Sequence, residues 1–292
     1  MKDYLKDTPN SLFPYQYRDM NKVIDAFEKY RKNIFQAITS YGKTYSFCTV
    51  AKYFLQKEPD KKVLILCHKI ELVEQAVEAC VKMGMTTETI TPSKKKINHN
   101  ADVYIGMEKT VFNRLQKNKY FLKPLSLVIF DETHILYVAK HIEFFKTEKV
   151  LGFTATPSLM GSDTFYKCDC CGRESDKLEQ CHNIEMIEWS RPRKLADYYD
   201  NIVIGASTKE LIELGRIVPD YTIPIQIDDS ELKTDSSGDY TKESLNKVFN
   251  NEKVVFDVVK NYELFCMGLK TMVFTASTEN NKKVLDQFLS KG

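Results

Sequence analysis

The chain has 292 residues, 43% of them apolar and 28% charged, and a formal net charge of +2. That length supports one large or two ordinary domains with real cores. The near-neutral charge excludes a global nucleic-acid-binding field, so any such surface is a local patch, and no apolar run is long enough to span a membrane.

Residues 1–10 are polar and read as a loose arm. They lack the apolar stretch of a signal peptide, so an intracellular, cytoplasmic protein is expected. Val23, Ile24, Phe27 and Tyr30 follow at helical spacing. Gln16 stands at the start of that helix. Its amide can read an adenine edge, since it both donates and accepts; the alternative is a surface residue.

Ile34 and Phe35 suit the end of a buried strand, and residues 45–55 suit a helix. Between them lies Ala37-Ile38-Thr39-Ser40-Tyr41-Gly42-Lys43-Thr44. This fits a phosphate-binding loop of the G-x-x-x-x-G-K-[ST] type, with Ala37 where the first glycine would stand. Backbone N–H groups around Gly42 can wrap a triphosphate. Lys43 can reach its outer phosphates and the Thr44 hydroxyl can hold magnesium.

Residues 63–67 form a continuous apolar run, as expected of a strand buried on both faces. A helix over 70–83 follows, with Gly84 as its C-cap. The basic loop 91–100 reads as solvated. A strand over 101–106, a helix over 108–117 and a buried strand over 125–130 come next. The last of these ends in Asp131-Glu132-Thr133-His134, 88 residues after Lys43. Open α/β sheets bind ligands at the C-terminal ends of their strands. Asp131 is therefore expected to hold magnesium through water, and Glu132 to orient and deprotonate an attacking water. His134 either links this turn to its neighbours by hydrogen bonds or lies on the surface. A strand over 150–153 then leads into Thr154-Ala155-Thr156-Pro157.

The order of these motifs resembles the superfamily 2 helicases and translocases, the wider DEAD/DEAH-box-like group, in their restriction-enzyme-like and phage branch. Pro14-Tyr15-Gln16 is similar to the adenine-reading motif, the loop at Gly42 to motif I, Asp131–His134 to motif II and Phe153–Pro157 to motif III. Residues 64–75 and 106–115 resemble motifs Ia and Ib, 199–219 the start of the second lobe, and 270–292 motif IV. The resemblance implies two RecA-like α/β lobes with parallel sheets. ATP, bound through Gln16, Thr39, Ser40, Tyr41, Gly42, Lys43 and Thr44, would lie between them, with magnesium on Thr44 and Asp131.

It also implies nucleic-acid contacts at His68, Lys69 and Thr110, with DNA placed before RNA, and coupling through Thr154 and Thr156. Ser40 departs from the family, which often has glycine there. Nothing in the chain resembles the arginine-bearing motifs V and VI. The first lobe is thus expected over 1–197 and an incomplete second lobe over 198–292. The expected function is ATP-dependent unwinding of, or movement on, DNA; the alternative is a half-motor that binds ATP and nucleic acid without turnover and needs a partner chain or the missing lobe. Lys-, Asn- and Tyr-rich usage is phage-like.

In the second lobe, strands are expected over 223–227 and 271–275, and helices over 241–265 and 279–290. Of the eight cysteines, Cys48, Cys67, Cys80 and Cys266 sit among apolar neighbours and read as buried. Cys168, Cys171, Cys181 and His182 read as a zinc site within an insertion over 162–190, with Cys170 as the alternative ligand. The Cys168-x2-Cys171-Gly172 turn can aim two sulfurs at one metal; free thiols on a surface insertion are the other reading.

Overall fold

A computed structural model describes residues 2–8, 11–134, 141–157, 162–192, 194–224, 226–235 and 240–291. The chain divides into two compact units, Met1–Pro219 and Asp220–Gly292.

The first unit is built on a seven-stranded sheet whose paired strands all run parallel. The strands are β1 (Lys32–Gln36), β2 (Lys62–Cys67), β3 (Thr87–Ile90), β4 (Val103–Met107), β5 (Leu125–Asp131), β6 (Lys149–Thr154) and, after five short strands described below, β12 (Asn201–Ile204). Their order is β12-β1-β6-β5-β2-β4-β3. Helix α1 (Pro14–Ala26) precedes the first strand, and α2 (Lys43–Lys57), α3 (Ile70–Lys82) and α4 (Glu108–Lys117) lie in the crossovers.

Alternate strand residues serve two cores. Phe35, Ile65, Ile129 and Phe153 pack with the apolar faces of α1, α2 and α3. Leu64, Val128, Phe130 and Val150 pack on the other face with Val111, Phe112, Leu195 and Tyr199. Burial on both faces is why these strands read as unbroken apolar runs. Cys48, Cys67 and Cys80 are buried free thiols, as expected, whereas Cys266 is half-buried.

Several expectations need correction. The N-terminal segment is not loose: Leu5 is fully buried, and the Tyr4 amide donates to Asn21 Oδ1 at 2.6 Å. The first unit runs past residue 197, because β12 pairs with β1 from Asn33↔Asn201 to Gln36↔Ile204. The second unit holds α6 (Lys242–Phe249), α7 (Glu252–Phe265) and α8 (Thr278–Leu289), after the short α5 (Thr208–Glu213) of the first unit. Among its described residues there is no strand, only a single bridge between Thr234 and Tyr240. The expected strands over 223–227 and 271–275 are therefore not formed; Ile225 lies outside the described residues. No described helix is long and apolar enough to cross a membrane.

The insertion forms an arm of short strands: β7 (Ser162–Lys167), β8 (Glu174–Ser175), β9 (Gln180–Cys181), β10 (Ile184–Glu185) and β11 (Ile187–Pro192). β7 pairs antiparallel with both β11 and β8, and β9 with β10.

Gly152, in β6, sets how closely the layers approach the acidic turn. A Cβ there would lie 2.7 Å from Thr133 Cγ2 and would collide with the Tyr199 hydroxyl. Those two side chains are buried and share a hydrogen bond of 2.5 Å. Gly152→Ala is expected to cost about 1–3 kcal/mol, the usual range for overpacking a dense core, read as a lower urea midpoint. An unchanged midpoint would mean that Tyr199 moves aside freely.

Candidate functional site

Because the strands are parallel, all their C-terminal ends lie at one edge. β1 ends at the loop 37–42, β6 at Thr154 and β5 at Asp131. Backbone bonds continue the ladder there: Ala37 N–H to Thr154 O and Thr133 N–H to Phe153 O, both 2.9 Å. The phosphate-type loop and the acidic turn are thereby held on either side of β6.

In the loop, Ser40 has φ 65° and Gly42 φ 87°. Ser40 itself adopts the left-handed conformation that a glycine would take freely. At Gly42 an added Cβ would come within 2.5 Å of Gln16 Nε2, so backbone freedom and space both call for glycine. Helix α2 begins at Lys43 with no side-chain cap, leaving its first N–H groups facing the loop as an anion site. Thr39, Ser40 and Gly42 are exposed, and Lys43 and Thr44 half-buried.

Tyr41 points the other way, into the core. Its hydroxyl donates to Asp19 Oδ2 at 3.1 Å, and the same oxygen accepts the Ala206 N–H at 2.8 Å. The Asp19 carboxylate is fully buried and also meets Arg18 at 2.9 Å and Lys22 at 3.1 Å. Asp19 thus ties α1, the loop and the segment after β12 together, a role the sequence reading missed. Its signal was a carboxylate on the apolar stripe formed by Tyr15, Asp19 and Val23.

Gln16 is buried rather than on the surface. Nε2 donates to Tyr41 O at 2.7 Å and Oε1 accepts from Phe13 N–H at 2.9 Å. Nε2 thus holds the loop and Oε1 the start of α1, and each keeps spare capacity, a second N–H and a second lone pair. Beside it opens a cleft of about 490 Å³ lined by Phe13, Gln16, Tyr41, Gly42, Tyr45 and Arg216, among others. Arg216 lies over the Phe13 ring at 3.7 Å, a stacked cation–aromatic pair. Neither residue was singled out in the sequence, because Arg216 is far away along the chain.

At the acidic turn, Lys43 Nζ meets Glu132 Oε1 at 2.7 Å. Glu132 has φ 54°, an uncommon backbone state for a non-glycine residue. His134 Nδ1 lies 3.3 Å from Glu132 Oε2 and 2.9 Å from Thr154 Oγ1. Thr154 Oγ1 donates to Thr156 O at 2.9 Å and accepts from Thr156 N–H at 3.1 Å. His134 therefore bridges the acidic turn to the threonine pair, with Nδ1 as the donor to Thr154.

His68 and Lys69 follow β2, and Thr110 lies in the first turn of α4 after β4. Those strands pair through Cys67↔Met107, so the three residues leave the sheet at the same edge. The His68 imidazole is half-buried, and burial, then Lys69, lower its pKa. Cys168, Cys171, Cys181 and His182 come together in the arm, and Cys170 is not among them.

Burial, then the neighbouring Glu132, pushes the Asp131 carboxyl from 3.8 up to about 6, against the pull of Lys43. A buried carboxylate whose charged form is disfavoured fits a dication, which would restore that form. The Thr44 hydroxyl adds the second oxygen donor expected for magnesium.

The profile of the family described as type III restriction enzyme, res subunit, matches residues 10–159, half of the chain. The chain belongs to that family. It is a superfamily 2 helicase-type protein of the restriction-enzyme-like branch, and its sheet is a RecA-like lobe. It is 27% identical over 257 residues to a 51.5 kDa protein of a Lactococcus phage, covering 86% of this chain and 45% of the relative. It is 26% identical over 298 residues to the putative mitochondrial ATP-dependent helicase irc3 of Schizosaccharomyces pombe, covering 96% of this chain and 43% of the relative. The chain thus spans less than half the length of either. The solved ATP-dependent type ISP restriction-modification enzyme LlaBIII bound to DNA superposes with a TM-score of 0.56 at 14% identity, covering 97% of this chain and 21% of that one.

An acid whose pKa is raised by folding holds its proton more tightly when folded. Its stabilising contribution is complete below the unfolded value and is lost as pH rises to the folded one. For Asp131 that window runs from about 4 to about 6. In metal-free buffer, Asp131→Asn should match the parent near pH 4 and exceed its unfolding stability at pH 7, by on the order of 3 kcal/mol. A stability difference that does not change across this window in urea titrations would contradict the assignment.

Proposed function

We propose that this chain is the motor portion of an ATP-dependent DNA helicase or translocase. Unit Met1–Pro219 would be its ATP-binding lobe and unit Asp220–Gly292 the start of a second RecA-like lobe. The reading is carried by the pairing of Lys43 with Glu132 at 2.7 Å. A cation that grips phosphates and a carboxylate that activates water then share one sheet edge, next to a cleft sized for a base.

The residues take the following roles. The free N–H groups of α2 and the Lys43 ammonium bind the triphosphate. As Lys43 turns to the phosphates it releases Glu132, which then orients the attacking water and accepts its proton. Thr44 and Asp131 would hold magnesium, which would supply positive charge against the phosphates. His134 passes the state of Glu132 to Thr154 and Thr156. His68, Lys69 and Thr110 face the sugar-phosphate backbone of the nucleic acid. The preference for DNA is supported by kinship to an enzyme solved on DNA.

A second reading has its own support. The described part of unit Asp220–Gly292 holds three helices and no strand. On that reading the chain binds ATP and nucleic acid but turns ATP over only when further protein completes the second lobe.

Steady-state ATP hydrolysis, measured with and without single-stranded DNA, duplex DNA and RNA, tests the proposal. DNA-stimulated turnover that falls by about 100-fold or more in Lys43→Ala is expected, as for other lost transition-state contacts. Magnesium-dependent binding without turnover supports the second reading. Absence of nucleotide binding overturns both.

A further inference from the structure

We propose that Cys168, Cys171, Cys181 and His182 bind one Zn²⁺ in a closed structural site, and that this ion takes the place of a hydrophobic core in the arm of residues 162–192. The proposal uses no residue of the phosphate edge and stands or falls separately from the motor reading.

The geometry comes first. One ligand atom from each residue lies within 4.8 Å of the other three. Cys171 Sγ is 3.7 Å from Cys181 Sγ, Cys168 Sγ is 3.9 Å from His182 Nδ1, and Cys181 Sγ is 3.3 Å from the same nitrogen. A tetrahedral zinc with its usual bond lengths to sulfur and nitrogen has edges of roughly 3.5–3.8 Å. These three separations lie near those edges, and the four atoms form one compact group. The three thiols are free, and a separation of 3.7 Å is no disulfide.

Two tight turns deliver these corners. Gly172, at φ 72°, donates its N–H to Cys168 O at 2.8 Å, and Cys168 N–H donates to Arg173 O at 2.9 Å. That turn swings Cys168 and Cys171 to the same side. In the second turn, Cys181 pairs with Ile184, leaving His182 (φ 57°) and Asn183 (φ 60°) as the two central residues of a hairpin. Two positive φ values in succession mark the hairpin turn that normally prefers Asn and Gly. A histidine holds this position against its backbone preference, and the result is that adjacent residues both face the cluster. The ligand set includes Cys171 and not Cys170, whose sulfur lies outside the group.

Among the described residues, the arm's buried cluster consists of Cys168, Cys181 and Met186, with Tyr166 partly buried against it. Two of those three buried side chains are themselves ligands. Segments below about 40 residues seldom fold on apolar burial alone and are usually held by metals or disulfides. Four protein ligands also leave no open position for water, which makes the site structural rather than catalytic.

Elemental analysis of the purified 292-residue chain after gel filtration tests this directly. One zinc per chain is expected, kept in Cys170→Ser and lost in Cys168→Ser and Cys171→Ser. Should those variants fail to fold, chelator-treated parent protein titrated with Co²⁺ gives the same answer: one equivalent should produce the intense visible bands of a tetrahedral thiolate site. Protease should then cut within 162–192 in the chelated protein and spare that arm when zinc is restored. A chain that is metal-free with a protease-resistant arm, a Cys171–Cys181 disulfide found by mass spectrometry, or zinc that depends on Cys170 rather than His182 would each overturn the proposal.

Discussion

The ion pair between Lys43 and Glu132 is the contact on which the site depends, because neither residue is near the other in sequence. Lys43 opens α2 after β1, and Glu132 follows β5, 89 residues later. They meet because β1 and β5 flank β6 in register, Ile34↔Gly152 on one side and Phe130↔Gly152 on the other. A parallel sheet places every strand's C-terminal end at one edge. The anion-binding loop and the acidic turn are consequences of that single constraint. Both partners are only slightly exposed, so the pair holds the two motifs together while leaving each open to a ligand that competes for it.

Around this pair the fold supplies two rigid supports. Asp19 anchors the loop from below through Tyr41 and fixes Ala206 at the same time. Tyr199, buried against Gly152, holds Thr133 within the acidic turn. The arm of residues 162–192 enters the chain between the Thr154–Thr156 pair and Tyr199.

Much of this was legible in the sequence, and the reasons differ by element. The strands at 63–67, 125–130 and 150–153 read clearly because burial on both faces leaves an unbroken apolar signature. Gly42, Lys43, Thr44, Asp131 and Glu132 were legible as motif positions whose chemistry demands those residue types. The pairing of β12 with β1 was not: half its side chains are exposed, and its segment read as the start of another lobe. Strands over 223–227 and 271–275 were expected from local apolar runs, yet a strand needs a partner, and the described second unit offers none. Asp19 and Arg216 escaped notice because their roles come from tertiary contacts with residues distant in sequence. Gln16 read as either an adenine contact or a surface residue; it is buried, with one amide bond to the loop backbone and one to the start of α1.

On the proposed function, Glu132 holds Lys43 until a nucleotide takes it. The affinity of Glu132→Gln for ATP with magnesium, measured by titration calorimetry beside the parent chain, tests this most directly. Taken at about 1 kcal/mol, the upper end for exposed ion pairs, the loss of this pair should free Lys43 and tighten ATP binding roughly 5-fold. Binding that is unchanged or weaker in Glu132→Gln would contradict the account.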